Sequence, residues 1–148
     1  MQTIFDPETR TKLIRRIKSL NENNQAEWGK MNVYQMLKHC TLADELYTGK
    51  KTYKRAFLGL IIGKFVLKQL TKDDKPMRPN SPTAPQFIVK EQTGDIEAEK
   101  LKWIAFIESY AKLPEGNFNH WFFGEMTREQ IGILAYKHTD HHLRQFNA

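Results

Sequence analysis

The chain has 148 residues, one cysteine (Cys40) and a formal charge of +6, from 23 Lys plus Arg against 17 Asp plus Glu. One domain spanning residues 1–148 is expected at this length; nine Phe, five Tyr and three Trp speak against disorder, and a lone cysteine excludes an internal disulfide. Met1 is followed by QTIFDPETR rather than by a charged start and an apolar stretch, so no secretory signal is read and a cytoplasmic protein is expected.

The first helix is read in FDPETRTKLIRRIKSL, where Asp6 is the N-cap, Pro7 opens the helix, and Leu13, Ile14, Ile17 and Leu20 form one stripe. The second is read in MNVYQMLKHCTLADELYTGK: Asn32 and Gln35 have capping-box spacing and Gly49 supplies a stop. RAFLGLIIGKFVLKQL follows, too short and too often interrupted by lysine to span a bilayer, and is read as a short extra helix lying on the other helices or at a subunit interface. Binding to a membrane surface is the less favoured alternative for it. TKDDKPMRPNSPTAPQFIVKEQTG holds four of the six prolines and must be an extended connection.

The third helix starts at Asp95, carries Ile96, Trp103, Ile107 and Tyr110 on one face, and ends before Pro114. The fourth is TREQIGILAYKHTDHHLRQF, opened by Thr127 and Gln130 in capping-box spacing. No alternating strand pattern is visible. The expected fold is therefore all-α, a four-helix bundle with a long crossover between helices two and three that carries the extra helix.

Positive charge is concentrated between Lys50 and Arg78, with nine basic residues against Asp73 and Asp74. Such a patch attracts phosphates. Arg and aromatic residues are not interleaved there and no helix-turn-helix is present, so an ordinary solvated basic face is preferred over nucleic-acid binding. A helical protein of this size with an apolar extra helix is also expected to pair as a homodimer.

Three of the five histidines lie close together near the end of helix four. At about 100° per residue with Ile131 at zero, His138 falls near 340° and His142 near 20°, beside Leu134, Ala135 and Gln145. Asp140, Arg144 and Lys137 fall on the opposite side, and His141 sits at the flank near 280°. A spacing of four stacks His138 and His142 one turn apart, so both can grip one metal ion. On helix two, His39 lies inside the apolar arc, and Cys40, rotated by about 100° from His39, is read as core packing. A lone inward His is usually a core residue bonded to a carbonyl, and a His pair at this spacing also arises by chance. Three inward imidazoles without an ion need three separate hydrogen-bond solutions, whereas one divalent cation satisfies all three. Imidazole suits Zn, Ni, Cu and Fe alike.

WGKMNVYQMLKHC, DDKPMRPNSPTAPQF and HWFFGEMTREQIGILAYKHTDHHLRQF together resemble the DinB/YfiT-like superfamily of small metalloenzymes, in a branch still described as a domain of unknown function. The resemblance covers nearly the whole chain. It implies a four-helix bundle with a long crossover, and a metal triad of one His from helix two with a His-x-x-x-His pair from helix four, which match His39, His138 and His142. Some members resemble thiol-dependent S-transferases, so it also implies a low-molecular-weight thiol as a substrate class. The branch commonly reads His-Pro-x-Phe-Gly before its last helix, whereas this chain has His120-Trp121-Phe122-Phe123-Gly124, without the Pro. His120 then either lines the site mouth or, as preferred, caps helix four.

A neutral three-histidine shell would leave a Zn or Ni ion its full charge, enough to lower the pKa of bound water or of a thiol, so hydrolysis or thiol transfer is the expected chemistry. No general base is evident. His141 and Gln145 are candidates to support the ligands, and Asp44 either does the same or pairs with a lysine. The sequence contains neither Glu-x-x-His nor His-Glu-x-x-His, which argues against a di-iron bundle and a zincin protease. The alternatives are a binding module with a structural ion, recruiting an anionic partner through the basic segment, and a metal-free interaction protein.

Overall fold

A computed structural model describes residues 1–148. The protein is mostly helical, with α1 (Pro7–Ser19), α2 (Val33–Tyr47), α3 (Phe57–Thr71), α4 (Ile96–Ser109) and α5 (Arg128–Gln145), and a small antiparallel pair of strands, β1 (Phe118–His120) and β2 (Gly124–Met126). Short 3-10 turns occupy Pro85–Phe87 and Tyr110–Lys112.

Four helix starts follow from side-chain caps. Asp6 accepts from the Thr9 amide at 3.0 Å and its hydroxyl at 2.7 Å, and Asp95 accepts from the Ala98 amide at 2.9 Å. Asn32 with Gln35 and Thr127 with Gln130 each form a reciprocal capping box. Each cap satisfies donors that the helix cannot, which is worth about 1 kcal/mol. Gly49 closes the turn after α2 at φ +76°, a conformation that glycine adopts without strain.

The apolar stripe of each helix sets which face turns inward. Helix α1 meets α4 and α5, α2 meets the same two helices, and α3 lies against α5 and β2. The core is a cluster of 23 buried apolar residues that includes Leu13 and Ile17 of α1, Met36 and Leu37 of α2, Trp103 and Ile107 of α4, and Leu134 and Leu143 of α5. Helices α2 and α5 are the most enclosed, each with buried residues on nearly every side.

Several expectations change. The extra helix is not short: α3 has 15 residues, as many as α2. Its inner face is made by Gly59, Gly63 and Leu67, and a Cβ on either glycine would collide with the backbone oxygen of Phe122. Lys137 is not on a solvent side of α5. It is buried and donates to the carbonyl oxygens of Leu70 (2.7 Å) and Asp73, so its ammonium closes the C-terminal end of α3. Lys100 does the same for α1, donating to Lys18 O at 3.1 Å and Leu20 O at 2.8 Å. The strand pair was not foreseen. With register Phe118 to Met126 and His120 to Gly124, each strand has three residues, too few to display a period of two.

Candidate metal centre

Helices α2 and α5 turn their buried apolar faces toward the core, and three imidazoles lie on those faces. His39 (5% exposed) and His142 (6%) are buried, and His138 is half-buried. Ring centroids lie 5.2 Å apart for His39 and His138, 4.8 Å for His39 and His142, and 4.7 Å for His138 and His142. One potential ligand atom from each lies within 4.8 Å of the others, close enough to bind a metal ion. The Nε2 atoms of His39 and His138 face each other at 3.2 Å.

The outer nitrogens of two rings are committed. His39 Nδ1 lies 3.0 Å from the backbone oxygen of Phe87, in the 3-10 turn of the crossover. His142 Nδ1 lies 2.8 Å from Gln145 Oε1. Carbonyl oxygens only accept, so each Nδ1 carries the hydrogen and each Nε2 keeps its lone pair. The Gln145 amide is fixed in turn by donating from Nε2 to Trp28 O at 2.6 Å. Gly29, at φ +82°, makes room for it, because a Cβ there would stand 2.8 Å from that nitrogen.

Burial keeps all three imidazoles neutral at pH 7. It is the main reason that His142 is lowered to about 3 and His138 well below the ordinary value; neighbouring imidazoles add to both effects. His39 is lowered by the same burial, against its hydrogen bond to Phe87 O, which favours the charged form. A neutral imidazole offers a metal one unprotonated nitrogen, whereas a charged one offers none.

The other candidates fall into two groups. Gln145 and His141 adjoin the triad. The His141 ring is 5.0 Å from that of His142 and 5.4 Å from Trp28, and its buried Nδ1 has no partner. The helical wheel put His141 at the flank, but it is buried, because the loop carrying Trp28 covers that side of α5.

His120 and Asp44 are engaged elsewhere. His120 Nδ1 accepts from the amides of Phe122 (3.1 Å) and Phe123 (3.2 Å), closing the turn between β1 and β2, so it does not cap α5, a role filled by Thr127. Its ring lies 4.5 Å from that of Phe123 and 6.0 Å from that of Tyr47, and Tyr47 is 6.0 Å from His138. Burial and the nearby Arg55 lower His120 to about 3.

Asp44 pairs with no lysine. Its carboxyl accepts from Tyr110 Oη at 2.6 Å and Trp103 Nε1 at 3.0 Å, and burial raises it to about 7 against those two bonds. It joins α2 to α4 and the turn that follows it. Cys40 is fully buried beside Met36, in keeping with core packing.

Phe87 and Trp28 escaped the sequence reading. Each contributes a backbone oxygen, which leaves no residue-type signature. Tyr47 belongs to the helix-two segment but is not singled out there.

No helix is long and apolar enough to cross a membrane. No curated protein and no solved structure matches the chain. A family model described as a protein of unknown function matches residues 6–148, and the chain belongs to that family, DUF1569.

Proposed function

We propose that the protein is a metal-dependent enzyme of hydrolase or thiol S-transferase type, in which His39, His138 and His142 hold one divalent ion of the Zn or Ni class. The observation that carries this reading is the commitment of Nδ1 in His39 and His142 to fixed oxygens, which leaves their Nε2 lone pairs free beside His138. A proton shared between His39 and His138 would satisfy one pair and leave the third nitrogen buried without a partner. One cation satisfies all three. Nitrogens on a tetrahedral Zn ion stand about 3.3 Å apart. His39 and His138 are at that separation, 3.2 Å, and the set as a whole has only to tighten from within 4.8 Å.

A bound ion with three neutral ligands would supply a Lewis acid able to lower the pKa of a water or a low-molecular-weight thiol. The chain's own residues provide the rest. Phe87 O and Gln145 orient two ligand rings, and Tyr47 packs its edge against the third. His141, with its unpartnered Nδ1, is the polar group available to a substrate beside the triad. His120 and Asp44 act as supports of the surrounding walls.

The resemblance of the helix-two and helix-four segments to the DinB/YfiT-like superfamily supports the same reading. So does the closed ring of contacts α1 to α4 to α2 to α5 to α1, as expected for a four-helix bundle of that type. The test is elemental analysis of protein purified without a metal-binding tag, followed by assays of thiol transfer and of ester and amide hydrolysis. About one ion per chain is expected, absent from His39→Ala and His142→Ala. A wild-type chain that is empty and takes up neither Zn nor Ni on reconstitution rules the site out. Full metal with no activity in any assay makes the ion structural.

A further inference from the structure

The first turns of α3 expose a set of large apolar side chains that nothing in the fold covers. Phe57 is 78% exposed, Ile61 and Phe65 are 66% exposed, and Leu58 and Leu60 are also exposed. This orientation is enforced rather than incidental. Gly59 and Gly63 sit against the backbone of Phe122, and Arg55 donates to the backbone oxygens of His120, Trp121 and Gly59. Only glycine permits that approach, so α3 cannot roll its apolar face inward without losing the contact.

Lysines outnumber the acidic residues along this face. Lys54 precedes the helix, Lys68 continues the face of Ile61 into the last turn and Lys72 follows directly, while Lys64, at the side, donates to the backbone oxygen of Glu125. None of the four takes part in an ion pair; of the nine basic residues from Lys50 to Arg78, only Lys51 does, with Glu45. A second copy of the chain is a poor occupant of such a surface. In a two-fold antiparallel pairing centred on Ile61, Phe57 would meet Phe65 of the second copy, but Lys54 would meet its Lys68. A parallel pairing would set each lysine against its own copy. Both arrangements desolvate like charges.

We propose that α3 is a docking face for an anionic lipid surface, with Phe57, Leu58, Ile61 and Phe65 entering the interface and Lys54, Lys68 and Lys72 meeting the headgroups. Apolar side chains on one face with lysines around them match such a surface in both polarity and charge. The helix lies along the surface and does not cross it, in keeping with its 15 residues.

The experiment is flotation of the full chain with phosphatidylcholine vesicles, with and without phosphatidylglycerol, beside sedimentation velocity without vesicles. Association with the phosphatidylglycerol vesicles is expected, weakening as salt is raised. It should fall about tenfold or more in Ile61→Glu/Phe65→Glu and in Lys54→Glu/Lys68→Glu. These side chains are solvent-exposed, so both variants should keep the wild-type melting temperature, which circular dichroism checks. Absence of association, equal association with neutral vesicles, or undiminished association of either variant overturns the proposal. So does a dimer in free solution that Ile61→Glu/Phe65→Glu dissociates, which would give the face to a second copy. Capture of an acidic protein with no affinity for phosphatidylglycerol would overturn it as well.

Discussion

Gln145 Oε1 accepts a hydrogen bond from His142 Nδ1 at 2.8 Å, while the same side chain donates from Nε2 to Trp28 O at 2.6 Å. The amide can point only one way, because its nitrogen is held by a carbonyl. Its oxygen therefore selects the tautomer of His142 and turns the lone pair of Nε2 toward His39 and His138.

Replacing Gln145 by Leu should thus weaken divalent metal binding by about 10- to 100-fold with the triad intact. Gln145→Glu keeps an acceptor for His142 and should retain most of the affinity. Competition against a chromophoric chelator measures both. Unchanged affinity in Gln145→Leu would show that Gln145 does not orient the ring.

The neutral state of His142 gives a pH signature in metal-free protein. Its folded pKa is lowered to about 3 by burial, whereas an unfolded imidazole titrates near 6.5. Below pH of about 6.5 the unfolded chain takes up a proton that the folded one refuses, so this group lowers stability as pH falls toward 3. His142→Leu should flatten the decline between about pH 6.5 and 4, read from urea midpoints. Identical pH profiles for the two proteins would count against a buried neutral imidazole.

Asp44 acts in the opposite sense. Burial raises its folded pKa to about 7, above an unfolded value near 3.9. The folded chain keeps a proton there that the unfolded chain has released, so this group lowers stability as pH rises from about 4 to about 7. Asp44→Asn removes that titration and should make stability less dependent on pH across the window. A steeper profile in the variant would contradict the assignment.

Gly63 is expected to be intolerant of even one methyl group. Gly63→Ala would drive a Cβ into the Phe122 backbone oxygen and displace α3, costing about 1–3 kcal/mol despite the better helix propensity of alanine. Leu60→Ala, on the exposed side of the same helix, should change stability by less than about 0.5 kcal/mol. Thermal melts of the two variants test the contrast.

Lys137→Met should destabilise by about 1–3 kcal/mol, since it leaves the carbonyl oxygens of Leu70 and Asp73 without their buried donor. If Lys137→Met melts with the wild type, solvent must reach those oxygens.

Local chemistry alone determined the caps at Asp6, Asn32, Asp95 and Thr127, the four helices they start, and the inward direction of His39, His138 and His142. Caps act within three residues and helix faces repeat at 3.6, so both are written in neighbouring letters. Tertiary structure decided what depends on distant partners. Lys137 and His141 lie on what a helical wheel reads as the outer side and flank of α5, and α3 and the Trp28 loop cover them. Asp44 finds Trp103 and Tyr110 across some sixty residues, and His39 finds Phe87 O, a backbone atom that every residue type offers. A wheel drawn for one helix cannot know how many neighbours surround it. The enclosure of α5, and with it the convergence of three nitrogens, is settled only when the chain has folded.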